Sequence, residues 1–375
     1  MKLLCLNYEY PPIGGGGAVA SKGLAEALVK LGCGIDVVTS GMQGLAPQET
    51  LGEVNIHRVR GLRRHTHYTT TAELLTQIYP IYRRALQLVR QGHYDLNHTH
   101  FIFPTGVASY FLKRKTGLPY VITVHGSDVP GYNPDRFQLE HKLSHWLWRA
   151  VVANSSGLIC PSKFITRLVQ QYTDKPVTLI PNGIDIRVDY ATPAKSNRIL
   201  VVTRLFKRKG VQYLLEAVRD LDSGWEVLVV GDGPYLPTLK KLAQGLHAKV
   251  HFVGYLKGRQ LLDAYHSAKI FVFPSVQENF PVVLLEAMQA GCAVITTDTE
   301  GCSEVIGDAG ITTPPHDSGQ IREALLRLVH DENEIARYGR LALERVRQFD
   351  WQVVARQYQA AFEQTLKSER PARAG

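Results

Sequence analysis

The chain has 375 residues, which is long enough for two domains of ordinary size. A hydrophobic fraction of 45% and a charged fraction of 21% are typical of a globular protein and exclude a largely disordered chain. The net charge is +9, and residues 1–180 carry most of it, with 19 basic residues against 11 acidic ones. This asymmetry predicts either an anionic partner, such as a membrane surface, a phospholipid-linked molecule or an acidic glycan, or an ordinary solvated basic face.

The cysteines and the apolar segments indicate the compartment. Five cysteines lie scattered in apolar segments without a CxxC pair, so we expect reduced thiols and neither disulfides nor a metal site. The apolar run at the start is too short for a signal peptide because Glu9 interrupts it, and no later stretch is long enough to span a membrane. These features predict a cytoplasmic protein. Nucleic acid is a poor partner, since the basic residues are not interleaved with stacking aromatic residues.

Short strands rich in β-branched residues alternate with longer helical segments, which is typical of βαβ units around parallel sheets. In the first half, the predicted strands are 2–7, 34–39, 54–59, 96–99, 120–124, 157–160 and 177–180, and the predicted helices include 18–31, 72–90 and 138–153. The second series has predicted strands at 199–203, 225–230, 250–253, 270–274 and 293–296. The polar segment 185–198 between the series contains a proline and is a predicted linker.

Two such series predict an α/β fold made of two Rossmann-like, doubly wound domains in tandem. In open α/β sheets, ligands bind outside the carboxyl ends of the strands. Two domains that face each other would therefore form a cleft, and we expect the ligand there.

The segment 274–288 (PSVQENFPVVLLEAM) places Glu278 in a polar loop and Glu286 inside an apolar run, where an unpartnered carboxylate is costly. Pro281 suits the first turn of a helix, with Asn279 as its cap. Glu278 would then lie beside a helix start that attracts anions, and Glu286 would lie in the second turn. On this segment alone, a cap with a structural ion pair is the better explanation.

Two further turns suit a phosphate ligand. Arg204 directly follows the strand at 199–203 and Lys209 opens the next helix, so these cations either bind a diphosphate or form a solvated basic turn. Gly231 and Gly233 lie at the next strand-to-helix turn, where they allow the backbone to approach a ligand. The spacing lacks a full dinucleotide fingerprint, which disfavours an NAD-dependent dehydrogenase.

The ordered set of motifs resembles a known family. IPNGIDI, VVTRLFKRKG, VVGDGP, HFVGYL, PSVQENFPVVLLEAMQAGCAVITTD and GCSEVIGDAGI resemble the second domain of the retaining nucleotide-sugar glycosyltransferases of family four, which have the GT-B fold. LNYEYPPIGGGGAVASKGLAEAL and VHGSDV resemble their first domain, so the resemblance covers essentially the entire chain. It implies an acceptor domain at 1–184, a linker at 185–198, a donor domain at 199–350, and a helix at 351–368 that returns to the first domain.

The resemblance also implies the roles of individual residues. Glu278 would lie by the donor sugar and Glu286 would hold the ribose hydroxyls. Arg204 and Lys209 would clamp the diphosphate, and His125 would contact the sugar near the reacting centre. The other donor-binding residues that it implies are Gly16 and Gly17 of the glycine loop at 14–17, Gly231, and Tyr255 and Leu256 beside the nucleobase.

The chain departs from the common family pattern after the first glutamate. Relatives often have Gly-Phe-Gly there, whereas this chain has Asn279, Phe280 and Pro281. Proline has no N–H group to donate to the donor. We therefore expect donor contacts from the N–H groups of Asn279, Phe280, Val282 or Val283, and the sugar specificity of glycine-bearing relatives does not transfer.

The implied reaction is retaining transfer of a hexosyl-type sugar from a nucleotide diphosphate sugar, with UDP favoured over GDP, to a hydroxyl of a glycan, a lipid-linked molecule or a small molecule. Arg204 and Lys209 would stabilise the charge on the leaving diphosphate. The Asp-x-Asp at 220–222 falls at a helix end and does not follow a strand, so we expect no metal and no other cofactor. For Glu278 we prefer an electrostatic role to that of the nucleophile in retaining glycosidases.

Arg60, Arg63 and Arg64 form a candidate surface for the acceptor or for an anionic membrane, followed by an amphipathic segment. A peripheral position at the inner face of the membrane is one interpretation, and an ordinary exposed loop is the other. Two alternative functions also stay open. A nucleotide-sugar epimerase or hydrolase on the same scaffold would form product from the donor alone, and a non-catalytic sugar-nucleotide-binding protein would form none.

Overall fold

The computed structural model describes residues 1–66, 69–132, 138–186, 193–221 and 224–369, with side chains described outside 138–144. It divides into two compact units, residues 1–183 together with 351–375, and residues 184–350. Four parts of the sequence lie outside the described residues, namely His67 after the basic run, Asp222 of the Asp-x-Asp motif, linker residues 187–192 and the C-terminal residues 370–375.

The first unit contains an eight-stranded sheet within the described residues. Its strands are β1 (Lys2–Leu6), β2 (Gly34–Ser40), β3 (Gln48–Leu51), β4 (Val54–Val59), β5 (Leu96–His100), β6 (Tyr120–Thr123), β7 (Gly157–Cys160) and β8 (Val177–Leu179). The spatial order is β3-β4-β2-β1-β5-β6-β7-β8, and the strands are parallel except for β3, which pairs with β4 in the antiparallel sense. The chain leaves β1 toward β2 and later returns to its other side at β5, so the order of the sheet reverses between β1 and β5.

The helices of this unit that precede residue 184 cover the sheet. They are α1 (Gly16–Lys30), α2 (Thr71–Gln91), α3 (Thr105–Thr116), α4 (Gln138–Asn154) and α5 (Lys163–Gln170). The start of α2 has a reciprocal cap, in which Thr70 accepts from the Glu73 N–H group and Glu73 accepts from the Thr70 N–H group. This cap satisfies free N–H groups of the first turn and fixes the start of α2 at Thr71.

The second unit contains a six-stranded parallel sheet within the described residues. Its strands are β9 (Ser196–Val202), β10 (Glu226–Val230), β11 (Lys249–Gly254), β12 (Ala268–Phe273), β13 (Ala293–Thr297) and β14 (Gly310–Thr313), in the order β11-β10-β9-β12-β13-β14. This is the 3-2-1-4-5-6 order of a doubly wound sheet, and it reverses between β9 and β12. Because β9 begins at Ser196, the last residues of the predicted linker belong to this strand.

The helices of the second unit are α6 (Val211–Ala217), α7 (Leu236–Ala243), α8 (Arg259–Ser267), α9 (Val282–Gln289), α10 (Glu300–Ile306), α11 (Ser318–Val329) and α12 (Glu332–Val346). The central strand β12 shows why helices must cover both faces. Phe271 and Phe273 pack into one hydrophobic cluster, while Ile270 and Val272 pack into a second cluster on the opposite face. A parallel strand that is apolar on both faces is stable only between two helical layers.

The last helix, α13 (Trp351–Glu369), belongs to the first unit. Trp351 fills the space left by two glycines, since a Cβ at Gly23 or Gly183 would overlap its indole ring. Phe362 is fully buried in the cluster that also contains residues of β1 and β5. Among the described helices, none combines the length and the apolar character needed to cross a membrane.

The structure confirms the predicted α/β fold with two parallel-sheet units. Two edge strands were not predicted, β3 and β14. The sequence of β3, QETL, is polar and short, so it lacks the apolar alternation that signals a strand.

Candidate functional site

In the second unit, the loops after β9 and β12 bring two predicted site residues together. The Glu278 carboxylate accepts a hydrogen bond of 2.7 Å from Ser275 Oγ, and its Oε1 also forms an ion pair with Lys209 Nζ. The Lys209 and Glu278 side chains are only 10% and 11% exposed. This buried pair lies at the carboxyl edge of the sheet, where its order reverses. Ser275 was not predicted, although it stands in the same motif.

Lys209 and Arg204 differ in their surroundings. Lys209 ends a short 3-10 turn at Lys207–Lys209, so the prediction that it opens a helix was wrong. Helix α6 begins two residues later, because Gly210 has a left-handed conformation with φ of 71°. Arg204 is exposed, and its guanidinium lies 5.7 Å from the centre of the Phe206 ring. The structure therefore pairs Lys209 with Glu278 and leaves Arg204 at the surface of the same loop.

The start of α9 differs from its prediction. Pro281 is the N-cap residue, with φ of −78° and ψ of 102°, and does not lie in the first turn. Asn279 lies two residues before this N-cap position, so the prediction that it occupies the cap position was wrong. The N–H groups of Val282 and Val283 lie in the first turn of α9, and N–H groups at a helix start suit an anionic ligand.

The residues between Glu278 and α9 are packed from below. The Phe280 ring is 8% exposed and lies 5.8 Å from the Phe349 ring, so its side chain belongs to the core. Asn279 is also buried. The loop rests directly on the start of α10, because a Cβ at Gly301 would overlap the Asn279 carbonyl oxygen. Close packing of this kind fixes the position of the Glu278 backbone.

Glu286 lies in the second turn of α9, as predicted, and has a protein partner. The Tyr265 hydroxyl donates a hydrogen bond of 2.6 Å to Glu286 Oε2. Burial raises the pKa of Glu286, and the hydrogen bond from Tyr265 opposes that rise. Glu286 was expected to hold the ribose hydroxyls of a ligand. Tyr265 of α8 already compensates this carboxylate in part.

Gly231 and Gly233 hold the loop that carries Arg204. Gly231 has φ of 132°, and a Cβ there would overlap the Thr203 carbonyl oxygen. A Cβ at Gly233 would lie 2.5 Å from the Leu205 carbonyl oxygen. In addition, the Leu205 N–H group donates to the Asp232 carbonyl oxygen at 2.9 Å. These glycines therefore pack closely against Thr203 and Leu205, the residues on either side of Arg204.

The loop after β11 contains the two residues predicted beside a nucleobase. Tyr255 is 75% exposed, and Leu256 packs in part against the core of the second unit. The Gly231 N–H group donates to the Gly254 carbonyl oxygen at 2.8 Å, which ties this loop to the end of β10. The exposed phenol of Tyr255 thus lies near the same carboxyl edge as Lys209 and Glu278.

In the first unit, His125 follows β6 in a loop organised by Asp128. Asp128 Oδ1 accepts from the N–H groups of His125 and Gly126 at 3.2 and 2.9 Å, and Oδ2 accepts from the Ile102 N–H group at 2.7 Å. Burial raises the pKa of Asp128 to about 6 and lowers the pKa of His125 to about 4, so His125 is neutral at pH 7. His125 Nε2 lies 2.9 Å from His100 Nδ1.

The glycine loop lies against His125. A Cβ at Gly17 would lie 2.8 Å from the Phe101 ring and 3.6 Å from His125 Nδ1, so only glycine fits there. Gly16 is the first residue of α1, and no described heavy atom lies within 4 Å of a Cβ placed there. The Gly15 N–H group donates to Glu9 Oε2 at 3.3 Å. Glu9, which was not predicted as a site residue, thus positions the loop.

The position of Arg63 contradicts the prediction that it belongs to an acceptor or membrane surface. Its side chain is fully buried and donates hydrogen bonds to the carbonyl oxygens of Tyr8, His65 and Thr66. It also lies 4.0 Å from Glu9 Oε1, and burial lowers its pKa. Arg63 therefore cannot contribute to an acceptor or membrane surface. Arg60 and Arg64 are exposed, as that prediction requires.

One of the two aspartates that were considered as metal ligands has a cationic partner in the protein. Asp220 lies beyond the end of α6 and forms an ion pair of 3.1 Å with Arg322. Asp222 lies outside the described residues. The described member of this Asp-x-Asp is thus paired with a cation of the protein.

Both halves of the chain match glycosyltransferase families. Residues 14–188 match the family described as Glycosyltransferase Family 4, and residues 184–345 match Glycosyl transferases group 1. An uncharacterised glycosyltransferase of Methanocaldococcus jannaschii is 31% identical over 356 residues, which cover 88% of this chain and 90% of that protein. The N-acetyl-alpha-D-glucosaminyl L-malate synthase of Bacillus anthracis is 26% identical and covers 96% of this chain and 97% of its own.

Solved structures share the fold over nearly the whole chain. Sucrose-phosphate synthase of Thermosynechococcus elongatus has a TM-score of 0.82 at 22% identity and covers 98% of this chain and 100% of its own. HepE of Anabaena in complex with UDP has a TM-score of 0.78 at 18% identity and covers 97% of this chain and 100% of its own. At these identities, the likeness shows a common two-domain fold, GT-B.

The contact between Gly231 and Thr203 predicts a matched pair of stability effects. Gly231→Ala adds a Cβ that overlaps a carbonyl oxygen, and we expect it to lower the free energy of unfolding by more than about 3 kcal/mol. Gly245→Ala is the control, since Gly245 also has positive φ but open space around its Cβ position, and it should cost about 1–2 kcal/mol. Urea denaturation measures both values. Equal costs would contradict the positioning role of Gly231.

Proposed function

The chain belongs to glycosyltransferase family 4, and on this basis we propose that it transfers a hexosyl-type sugar from a UDP-sugar, with retention of configuration and without a metal ion. The acceptor is a hydroxyl of a glycan, a lipid-linked molecule or a small molecule. The buried pair of Lys209 and Glu278, of which Glu278 precedes the start of α9, is the observation that carries the proposal. It combines a cation for a diphosphate with a carboxylate for a sugar.

UDP is the proposed nucleotide. HepE of Anabaena was solved with UDP, with UDP and glucose, and with UDP-glucose, and it shares the fold of this chain. In our proposal, Glu286 accepts hydrogen bonds from the ribose hydroxyls, and the exposed ring of Tyr255 lies beside the base. GDP is the less favoured alternative.

The leaving diphosphate is stabilised by fixed positive charge in this proposal. Lys209 Nζ, the Arg204 guanidinium and the N–H groups of Val282 and Val283 are the donors. The acceptor oxygen attacks the anomeric carbon from the side of the leaving group, while the bond from that carbon to the phosphate oxygen breaks. The acceptor proton passes to a phosphate oxygen, and UDP leaves with it. Positive charge on the sugar faces the Glu278 carboxylate, and no metal ion takes part.

Glu278 acts on the sugar through its charge, as proposed, and not as a nucleophile. Its Oε1 is already bonded to Ser275 Oγ and to Lys209, which orients the carboxylate and makes it a weaker nucleophile. In the first unit, neutral His125 can donate or accept a hydrogen bond with a sugar hydroxyl without adding charge.

A peripheral position at an anionic membrane is a second part of the proposal. An open groove on the first unit is lined by residues of α2 and α3, namely Ile78, Tyr79, Tyr82, Phe111, Arg114 and Lys115. Tyr79 is 66% exposed and Phe111 is 44% exposed. Exposed aromatic rings beside cations suit the interface of an anionic bilayer. Arg60 and Arg64 add positive charge to the loop that precedes α2.

The proposed contact between Lys209 and the diphosphate predicts how strongly the protein binds nucleotides. We expect UDP to bind more tightly than GDP or ADP in calorimetric titrations. Lys209→Met should weaken UDP binding by about 10- to 100-fold, because it removes a charge-assisted hydrogen bond to the diphosphate. Lys207→Met is the matched control in the same turn, and since Lys207 is exposed it should change the affinity by less than about twofold. Tighter binding of GDP would overturn the choice of donor.

The same titrations with Glu278→Gln separate binding from transfer. This change keeps an acceptor for Ser275 and removes the charge, so UDP binding should persist while sugar transfer falls by at least about 100-fold. Transfer is measured as product formed from a UDP-sugar with and without an acceptor. Full activity of Glu278→Gln would show that its role is misassigned, and product without any acceptor would favour an epimerase or hydrolase.

Glu286 predicts a pH dependence of UDP binding. Burial holds its pKa above the usual value, and the protonated form is a poorer acceptor for ribose hydroxyls, so affinity should fall as the pH decreases toward that pKa. Tyr265→Phe removes the hydrogen bond that lowers the pKa, so the loss should occur at higher pH than in the wild type. Titrations from about pH 8 to about pH 4 measure the shift. Glu286→Gln, which lacks the titrating group, should bind weakly without this transition, and a shift to lower pH in Tyr265→Phe would refute the assignment.

The groove predicts binding to anionic vesicles. At low salt, the protein should sediment with phosphatidylglycerol vesicles and not with phosphatidylcholine vesicles. Phe111→Asp should reduce the bound fraction by about tenfold, since it removes an aromatic ring and adds a negative charge. Trp146→Asp, at another exposed aromatic residue of the first unit, is the control and should bind normally. Absence of sedimentation at low salt would remove membrane binding from the proposal.

A further inference from the structure

Three side chains beneath the His125 loop form a cluster that the transfer reaction does not use. Cys5 of β1 pairs in register with His98 of β5, and His100 lies two residues further along β5, so all three side chains share one face of the sheet. One sulfur and two ring nitrogens of these residues lie within 4.8 Å of one another. The residues are buried, with exposures of 4%, 2% and 2%.

The two imidazole rings are already oriented by outer partners. His98 Nε2 lies 2.8 Å from Thr123 Oγ1, and His100 Nδ1 lies 2.9 Å from His125 Nε2. Metal-binding histidines are held in this way, with one ring nitrogen bonded to a neighbour and the other directed to the metal. The other nitrogen of the second ring, His100 Nε2, is buried and has no hydrogen-bond partner among the described residues.

A small internal pocket adjoins the cluster. It has a volume of about 10 Å³ and is lined by Cys5, His98 and His100 together with Ser21 of α1 and apolar residues. Ser21 Oγ is likewise buried, and the Cys5 thiol is its polar neighbour. An unsatisfied nitrogen such as His100 Nε2 is costly to bury, and the volume suffices for a single water molecule or a single ion.

We propose that Cys5, His98 and His100 bind one thiophilic metal ion, with Ser21 Oγ beside its fourth position, and that Cu⁺ is the favoured ion. Thiolate and imidazole ligands together select Cu⁺ and Zn²⁺ over hard cations such as Mg²⁺. Binding replaces the thiol proton of Cys5, which is released to solvent, with a bond from sulfur to the metal. In a bound state the ligand atoms, which now lie within 4.8 Å of one another, would lie roughly 3.5 Å apart.

Charge balance favours Cu⁺ over Zn²⁺. One thiolate, two neutral imidazoles and Cu⁺ have no net charge, whereas Zn²⁺ would leave one positive charge in an apolar core. The described residues that line the pocket include no carboxylate that could neutralise the excess. This ion would take no part in sugar transfer, but it would fix His100, which contacts His125.

The ligands are sealed from solvent, so the ion must enter before the core closes. The protein is therefore produced without a metal-binding tag in medium supplemented with copper or with zinc, and its metal content is measured by mass spectrometry. We expect about one equivalent of copper in the wild type. Cys5→Ala should retain less than about a tenth of that amount. Cys33→Ala is the matched control, a free and buried cysteine of the same unit, and should keep the full equivalent.

X-ray absorption of the loaded wild type tests the ligands without any variant and should show one sulfur and two nitrogen ligands. One equivalent of zinc with the same ligands and no copper would support the site and overturn the charge argument. Less than about a tenth of an equivalent of either metal would overturn the proposal, and a water molecule between Ser21 Oγ and His100 Nε2 would then explain the pocket. Equal metal content in Cys5→Ala and wild type would also overturn it.

Discussion

The reversal of strand order in each parallel sheet is the constraint on which the candidate site depends. At β9 and β12, and again at β1 and β5, the connections leave the sheet in opposite directions, so the loops at the carboxyl ends of these neighbouring strands are not covered by a crossover helix. In the second unit, these loops supply Lys209 and Glu278. In the first unit, they supply Glu9 and Phe101, and His125 follows the next strand. The topology thus determines where polar side chains can meet at the edge of an apolar sheet.

The charged groups of the second unit are costly for folding. Burying an ion such as Lys209 or Glu278 costs several kcal/mol, and their mutual attraction offsets this only in part. Glu286 adds a further cost, since burial disfavours its ionised form and raises its pKa. A core of apolar residues in the same positions would be more stable. The presence of these groups is therefore better explained by a ligand than by stability.

The sequence was sufficient for most of the fold because its signals are local. Gly157–Cys160 is a short apolar run and Val54–Val59 is rich in β-branched residues, and both strands appear as predicted. The partners in the site were not predictable, because they depend on contacts between distant residues. Tyr265 and Glu286 lie 21 residues apart, and Arg63 contacts the carbonyl oxygen of Tyr8, 55 residues away. An arginine in a basic run therefore suggested a surface, although the folded loop buries it.

The glycines show how a motif can serve a ligand without touching it. Gly231 stands in a turn that suggests close approach to a phosphate, and Gly301 stands in the first turn of α10, yet a Cβ at either position would overlap a backbone carbonyl of the protein itself. Gly231 leaves room for the loop that carries Arg204, and Gly301 packs against the loop that carries Glu278. If a glycine contacted the ligand directly, substitution by a larger residue would block ligand binding and leave the loop in place. Because these glycines fix loops, a substitution would instead displace the charged side chain that the loop carries. The position of that charged side chain determines what the site can bind.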